Sequence, residues 1–195
     1  MDILIATNNR HKVEEISGLL APHQFTVKSL TDFPDIPKTI EDQPTLEGNA
    51  LKKAHDAFKA TGLLTLADDT GLECYYLELK PGVFSARYAG ESATYADNNV
   101  KLLNALKGVP PRRRNARFQT VIAIVGKNIQ KVVEGNVEGD IAESPRGTNG
   151  FGYDPLFVPR GLEKTYAELT LEEKSKISHR AMAVGKAIEA LKELK

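Results

Sequence analysis

Two adjacent carboxylates are the first candidates for chemistry in this sequence. Asp68 and Asp69 follow the apolar run Leu63–Ala67, which is typical of a buried strand, and Thr70-Gly71 comes directly after them. Because neighbouring residues on a strand point in opposite directions, one carboxylate can bind a metal ion while the other supports it or acts as a base. Two or three carboxylates are enough for Mg²⁺, which keeps several waters. An Asp-rich turn is the alternative.

A third acid, Glu41, precedes a helix predicted over residues 45–61. Taken alone, Glu41 is one carboxylate in an acidic loop. It becomes a candidate second metal ligand if the fold brings this loop next to Asp69.

The segment between the first predicted strand and the first predicted helix has the composition of a phosphate-binding turn. It combines polar side chains, a helix N-terminus with free N–H groups and two cations, Arg10 and Lys12. It is not a P-loop, because the Gly-rich backbone and the Lys-Ser/Thr ending are missing. A solvated turn is the alternative. The candidate residues are Thr7, Asn8, Asn9, Arg10, His11 and Lys12.

The C-terminal third carries a further group of candidates. Phe151 lies between two glycines, which would let a nucleotide base approach and stack on its ring. His179 and Arg180, at the start of the last predicted helix, would offer hydrogen-bond donors. Core packing of the aromatic rings and a structural histidine are the alternatives. The full set is Phe151, Gly152, Tyr153, Asp154, Lys174, His179 and Arg180.

The run of three arginines at residues 112–114 raises the possibility of contact with RNA. Lys plus Arg number 26 and Asp plus Glu also number 26, so the formal net charge is zero. That balance argues against binding to nucleic acid or to an anionic membrane through bulk charge. A solvated loop is therefore the favoured interpretation of the three arginines.

Length and composition limit the class of protein further. A chain of 195 residues with 41% hydrophobic residues has enough apolar side chains for one domain, or for two small lobes. No apolar stretch approaches the ~20 residues that span a bilayer. The single cysteine, Cys74, cannot form an internal disulfide, which fits a reducing compartment. These observations predict a soluble, cytoplasmic globular protein.

Hydrophobic periodicity predicts an α/β fold with a mixed sheet. A strand over 2–7 precedes a first helix, Thr45 caps the helix that Gly62 ends, and Thr94 caps another that runs through Leu106. A separate short strand is expected around 72–76, a turn at Pro81-Gly82, a hairpin over 116–137 and a loop over 143–152. The apolar stripe of the last helix consists of Ala181, Val184, Ile188, Leu191 and Leu194.

Six segments, spread from the first strand to the last helix, resemble the inosine triphosphate pyrophosphatase family. They are ATNNRHKVEEI (6–16), TLEGNALKKA (45–54), LADDTGLE (66–73), PGVFSARYAG (81–90), GFGYDPLF (150–157) and ELTLEEKSKISHRAMA (168–183). The resemblance implies one nucleoside triphosphate pyrophosphatase domain over residues 1–195. It also implies a long mixed β-sheet flanked by helices, two lobes with a nucleotide cleft between them, and a homodimer.

The resemblance also implies roles for the candidate residues. Thr7 to Lys12 would hold the triphosphate, and Glu41 and Asp69 would bind Mg²⁺ with Asp68 beside them. Asp69 would be the general base, and Thr70 would contact the substrate. The pocket for base and phosphate would consist of Phe151, Gly152, Tyr153, Asp154, Lys174, His179 and Arg180.

The implied reaction is the Mg²⁺-dependent hydrolysis of dITP, ITP or XTP to the monophosphate and pyrophosphate. Donors from His179 or Arg180 would select the six-position carbonyl of deaminated purines over the amino group of adenine. Two positions depart from the family pattern: Asn8 replaces a glycine, and Gly48 stands where a glutamate is usual. The alternatives are a Maf-like nucleotide pyrophosphatase of other base specificity and a non-catalytic nucleotide- or RNA-binding module.

Overall fold

The computed structural model describes residues 1–193, and it contains the predicted mixed sheet with helices. The strands are β1 (Asp2–Ile5), β2 (Thr26–Ser29), β3 (Leu64–Cys74), β4 (Lys80–Gly82), β5 (Asn115–Gly126), β6 (Ile129–Ile141) and β7 (Phe157–Pro159). The helices are α1 (Arg10–Leu20), α2 (Leu46–Thr61), α3 (Tyr95–Ala105), α4 (Leu171–Ile177) and α5 (His179–Lys192). The sheet order is β2-β1-β3-β5-β6-β7, and β4 pairs with β3. β1 runs parallel to β2 and β3, whereas β4 and β7 run antiparallel to their partners.

Local capping signals set the ends of α2 and α3 where the sequence predicts them. The Thr45 hydroxyl oxygen accepts a hydrogen bond from the Gly48 N–H at 3.0 Å, and α2 ends at Gly62, which has a φ of 69°. Thr94 and Asp97 form a capping box at the start of α3, each accepting from the other's backbone N–H.

The packing divides the chain into two compact units. Unit 1 consists of residues 1–69, residues 120–135 and the described chain from Arg180 onward. Unit 2 consists of residues 70–119 and 136–179. The chain passes from one unit to the other within β3, β5 and β6, and again at the peptide bond between His179 and Arg180.

The core of unit 1 is aliphatic. β1, β3 and β5 contribute the buried side chains of Ile3, Ile5, Leu66, Ile122 and Ile124, and α1 contributes Ile16 and Leu20. The predicted apolar stripe of the last helix is confirmed at Val184, Ile188 and Leu191, which are buried in this core, while Leu194 lies outside the described residues.

The core of unit 2 is partly aromatic. The ring centroids of Phe118 and Phe157 lie 4.8 Å apart, and those of Phe157 and Tyr166 lie 5.2 Å apart. Cys74 lies in the same core, where burial raises the pKa of its thiol to about 12. Because the thiolate is then scarce at neutral pH, Cys74 is unsuited to act as a nucleophile.

The prediction that a strand ends at Asp68–Gly71 and a separate strand follows is wrong. β3 runs unbroken from Leu64 to Cys74, so the two carboxylates lie within a strand and not at its end. β1 pairs with residues 64–66, β4 pairs with residues 72–74, and β5 lies next to β3 along the sheet. These neighbours override the turn preference of Asp and Gly. Pro81-Gly82 also lies in a strand, β4, and not in a turn.

Besides β4, three strands and helices have no counterpart in the sequence prediction: β2, β7 and α4. The two strands have 4 and 3 residues and the helix has 7, which is too short for a clear periodicity. None of the helices within residues 1–193 has the combination of length and hydrophobicity that a membrane span requires.

The interpretation of the three arginines as a solvated loop is wrong for Arg114. This side chain is buried in unit 2, and its guanidinium donates hydrogen bonds to three carbonyl oxygens. Nε reaches Ile141 at 2.7 Å, Nη1 reaches Leu106 at 2.9 Å and Nη2 reaches Ala142 at 2.9 Å. Arg114 therefore ties the end of α3 to the end of β6, whereas Arg112 and Arg113 are exposed.

We expect Arg114→Ala to lower the free energy of unfolding by about 3 kcal/mol, because it leaves three buried carbonyl oxygens without their donors. The matched control is Arg112→Ala, which removes an exposed arginine two residues earlier and should change stability by less than about 0.5 kcal/mol. Urea denaturation measures both values. Equal effects of the two substitutions would contradict the structural role of Arg114.

Candidate functional site

β3 presents two buried carboxylates in opposite directions, as neighbouring strand residues must. Asp68 contacts Lys12 of α1 and Arg180 of α5, whereas Asp69 contacts Lys53 of α2. Both carboxylates are nearly inaccessible to solvent, with 1% and 6% exposure. We call the charged and polar side chains around them the acid–base cluster. Its members, all in unit 1, are Lys12, Glu15, Glu41, Asn49, Lys53, Asp68, Asp69 and Arg180.

Asp68 is held as a carboxylate by two cations. Its Oδ2 lies 3.0 Å from Lys12 Nζ and 3.4 Å from Arg180 Nε. Burial alone would raise the pKa of Asp68, but the charges of Lys12, Arg180 and Lys53 outweigh burial and hold the pKa well below its usual range. The Arg180 guanidinium also pairs with Glu15, one turn after Lys12 on α1. This half of the cluster is a closed set of ion pairs.

Asp69 has a different environment. Lys53 Nζ lies 2.9 Å from its Oδ1, and Asn49 Nδ2 donates to its Oδ2 at 3.3 Å. Burial raises the pKa of Asp69, although the charges of Lys53 and Lys12 act in the opposite direction. The two neighbouring aspartates thus have pKa values shifted in opposite directions, which is a common property of catalytic pairs.

The three acids predicted to lie at the metal site, Glu41, Asp68 and Asp69, do not share the same contacts. Glu41 and Asp69 converge on one cation, because Lys53 Nζ lies 3.1 Å from Glu41 Oε1 as well as 2.9 Å from Asp69 Oδ1. Asp68 instead directs Oδ2 toward Lys12 and Arg180. Among residues 1–193, no three His, Cys, Asp or Glu side chains gather in a metal-binding group. Glu41 and Asp69 are therefore the two predicted metal ligands that lie together, and their oxygens are of the type that Mg²⁺ binds.

The predicted phosphate turn at 7–12 is partly a helix cap. The Asn9 side-chain oxygen accepts from the His11 N–H at 3.1 Å, and Thr7 Oγ1 accepts from the Asn9 N–H at 3.2 Å. The side chains of Asn8, Arg10 and His11 are exposed, while Lys12 turns inward to Asp68. In the described chain, the non-glycine residues with positive φ are Gln24, Glu78 and Leu79. Asn8 therefore adopts a backbone conformation that does not require the glycine usual in the family.

The second departure from the family pattern, Gly48, fits its local surroundings. A Cβ atom at this position would lie 2.8 Å from the Gln43 Cβ. Gln43 is itself held, because its backbone N–H donates to the Asn49 side-chain oxygen at 3.0 Å. The loop that carries Glu41 therefore packs closely on the first turn of α2, and a larger residue at position 48 would displace it.

Unit 2 carries a second group, which we call the Phe151 platform: Phe151, Asp154 and Lys174. Asp154 Oδ2 accepts from the Phe151 N–H at 2.9 Å and from Lys174 Nζ at 2.5 Å. The Lys174 ammonium lies 5.0 Å from the centroid of the Phe151 ring. Gly150 is required here, since a Cβ would lie 2.0 Å from Asp154 Oδ2. The Phe151 ring remains half-buried, so part of it is accessible to a ligand.

The other predicted residues of this region are distributed differently. Tyr153 is a core anchor whose hydroxyl donates to the Ser85 carbonyl oxygen at 2.9 Å. The His179 ring is buried and stacks on Phe118, with centroids 4.4 Å apart. Arg180 follows His179 directly in the chain, yet its ion pairs are with Asp68 and Glu15 in unit 1. Thr70 is half-buried in β3.

Lys53, Asn49 and Glu15 are cluster members that sequence reasoning missed. Asn49 and Lys53 are four residues apart on α2, on the same buried face as Ala50 and Ala54. The signal was a lysine and an asparagine at positions of an apolar stripe, where an unpaired polar group would be costly. Glu15 offered no such signal, because it directly follows Glu14 in the charged first half of α1.

Comparison with known proteins gives the class of this protein. The model of the Ham1 family matches residues 3–190. A dITP/XTP pyrophosphatase of Thermoanaerobacter pseudethanolicus is 50% identical over 187 residues, covering 95% of this chain and 94% of that protein. The structure of a HAM1 protein from Coxiella burnetii has a TM-score of 0.89 at 40% identity and covers 99% of both chains. The Staphylococcus aureus Ham1 protein has a TM-score of 0.88 at 38% identity and covers 100% of both.

The chain belongs to the Ham1 family. The family match and the names of the relatives, which are dITP/XTP pyrophosphatases, confirm the pyrophosphatase family that the six sequence segments resemble. The solved structures confirm the predicted mixed α/β fold class. Curated relatives of this family carry the name of an enzyme, so the prediction of an enzyme is confirmed as well.

We expect Asp68→Asn to lower the free energy of unfolding at pH 7 by about 3 kcal/mol, because it leaves Lys12 and Arg180 buried without their shared anion. Since the folded-state pKa of Asp68 is depressed, its contribution is complete above the unfolded pKa of about 4 and is lost as the pH falls below it. The difference in the free energy of unfolding between wild type and Asp68→Asn should therefore become smaller from pH 5 downward. Chemical denaturation in the presence of EDTA measures this difference at each pH.

Asp35→Asn is the control, since Asp35 is an exposed carboxylate between β2 and α2 and outside the acid–base cluster. It should stay close to wild type at every pH. If the difference in the free energy of unfolding between wild type and Asp68→Asn remained constant from pH 7 to acidic pH, this would contradict the depressed pKa of Asp68.

Proposed function

We propose that this protein hydrolyses deaminated purine nucleoside triphosphates, namely dITP, ITP and XTP, to the nucleoside monophosphate and pyrophosphate. The names of its curated relatives support the dITP and XTP part of this proposal. The observation that carries the mechanism is the environment of Asp69: a buried carboxylate between Lys53 and Asn49, next to Glu41 and on the strand that also holds Asp68.

Asp69 is the proposed general base. Burial raises the pKa of its carboxyl, so its carboxylate is a better proton acceptor than that of an exposed aspartate. Lys53 and Asn49 each hold one of its oxygens, which orients the group before substrate arrives. The proton that Asp69 accepts comes from the water that attacks the α-phosphorus, and pyrophosphate is the leaving group.

The charges of the acid–base cluster favour an added cation. The cluster contains three cations, Lys12, Lys53 and Arg180, against the four carboxylates of Glu15, Glu41, Asp68 and Asp69. Glu41 and Asp69, which already share the ammonium of Lys53, are the proposed holders of Mg²⁺. When bound there, Mg²⁺ would neutralise phosphate charge and lower the pKa of water.

Asp68 is proposed to support the site and not to bind the metal. Its ion pairs with Lys12 and Arg180 fix the start of α1 against the start of α5 within unit 1. Lys12 is then placed at the first turn of α1, where the positive end of the helix and the exposed Arg10 suit a phosphate chain. We expect Thr7, Asn8, Asn9 and His11 to add polar contacts from the same turn.

The purine base is assigned to the Phe151 platform. The half-buried ring offers a stacking surface next to Gly152, and Lys174 adds a cation beside the ring. Hydrogen-bond donors from nearby backbone groups, and from His179 once its buried ring is uncovered, would satisfy the six-position carbonyl of hypoxanthine or xanthine, whereas the amino group of adenine would remain unpaired. A mismatch of this kind costs ~1–3 kcal/mol. The homodimer implied by the family resemblance stays a prediction.

We expect the wild-type protein to release pyrophosphate from dITP, ITP and XTP with Mg²⁺, at rates at least about a hundredfold above those for ATP. EDTA should abolish this release, and added Mg²⁺ should restore it. Asp69→Asn should reduce kcat by at least about a hundredfold while the protein remains folded, because the base is lost. A coupled pyrophosphate assay on a panel of triphosphates makes these measurements.

Asp35→Asn serves as the matched control for loss of a carboxylate and should retain the wild-type kcat. Preferential turnover of pyrimidine or methylated nucleotides would favour the Maf-like alternative. Release of no pyrophosphate from any triphosphate would contradict the proposal, and a near-normal kcat of Asp69→Asn would contradict the role of Asp69.

A further inference from the structure

Helix α3 contacts the loop of the Phe151 platform at two points that the proposed chemistry does not use. Asn99 Nδ2 donates a hydrogen bond to the Gly152 carbonyl oxygen at 3.0 Å. The ring of Tyr95, one turn earlier on α3, lies 6.0 Å from the Phe151 ring at an interplanar angle of 45°. Because residues four apart on a helix share a face, both contacts come from one edge of α3.

The loop around Phe151 has two partners, Asp154 and Asn99. Asp154 holds both backbone groups of Phe151, because the Phe151 N–H donates to Asp154 Oδ2 and the Phe151 carbonyl oxygen accepts from the Asp154 N–H at 3.2 Å. On the C-terminal side of Phe151 comes Gly152, which has a φ of 63° and open space where a Cβ would lie. A glycine in such surroundings has wide backbone freedom. The hydrogen bond from Asn99 therefore sets the direction of the Gly152 carbonyl.

The amide of Asn99 is poorly explained by stability alone. Its Oδ1 is buried and has no hydrogen-bond partner among residues 1–193. A buried acceptor without a partner is unfavourable, and alanine would both avoid this cost and favour the helix. What the asparagine supplies, and alanine would not, is the donor to Gly152.

We propose that Asn99 is a positioning residue for the stacking ring of Phe151, and that Tyr95 limits the tilt of this ring from the α3 side. The inference rests on the proposed function, in which Phe151 stacks on the purine base. Stacking on the base is the same in the ground state and in the transition state, because the reaction takes place at the α-phosphorus. Loss of Asn99 therefore weakens substrate binding and leaves the chemical step intact.

Asn99→Ala tests this directly. We expect KM for XTP to rise about five- to tenfold, as for the loss of one good hydrogen bond, with kcat within about twofold of wild type. The inhibition constant of pyrophosphate should not change, because pyrophosphate has no base to stack. The matched control is Asn104→Ala, the same substitution at an exposed position of the same helix, which should leave all three constants and the Tm unchanged.

Three results would overturn the inference while the wild type remains active: an unchanged KM of Asn99→Ala, a parallel rise in the pyrophosphate inhibition constant, or the same KM rise in Asn104→Ala. A wild-type protein that releases no pyrophosphate would overturn the proposed function and this inference with it. If Asn99→Ala does not fold, Tyr95→Leu decides, since Tyr95 is exposed. Its KM should rise about two- to threefold at constant kcat, and an unchanged KM would refute the positioning of Phe151 by α3.

Discussion

The burial of two consecutive carboxylates in one strand is the constraint on which unit 1 depends. An ionised carboxylate in a protein interior requires cations or hydrogen-bond donors within reach, and two adjacent ones require them in opposite directions. β3 meets this requirement by placing Asp68 against α1 and α5 and Asp69 against α2. The three helices thus contribute their long cationic side chains at the same level of β3.

This arrangement also separates the roles of the two acids. Asp68 lies between the cations Lys12 and Arg180, and its pKa is held far below the ordinary range. Asp69 is buried with fewer compensating partners, and its pKa is raised. One sequence motif therefore produces a fixed structural anion and a proton acceptor, because each side of the strand supplies a different environment. Lys53 connects the second acid to Glu41, which lies outside any regular element.

Much of the fold was predictable because local signals decide it. Thr45 and Gly62 bound α2, and Thr94 with Asp97 starts α3, by interactions among residues close in sequence. The continuity of β3 was not predictable, since Asp68–Gly71 has turn composition and its strand conformation comes from distant partners. The same holds for Arg114, whose acceptors at Ile141 and Ala142 are distant along the chain.

The candidate site, too, was predictable from the sequence only in part. Motif resemblance drew attention to Asp68, Asp69 and Lys12, which the structure brings together in unit 1. It gave no indication that Arg180 pairs with Glu15, or that Lys53 lies between Glu41 and Asp69. Those contacts depend on the packing of α5 and α2 against β3, which no local pattern encodes.

The most direct test of the account is a crystal structure with Mn²⁺ and a non-hydrolysable α,β-imido analogue of XTP, with the metal located by its anomalous scattering. The account predicts Mn²⁺ about 2.1 Å from oxygens of Glu41 and Asp69, the Lys53 ammonium displaced from between them, and the α-phosphorus within reach of a water held by Asp69. A metal bound on the Asp68 side of β3, or an α-phosphorus remote from Asp69, would contradict it.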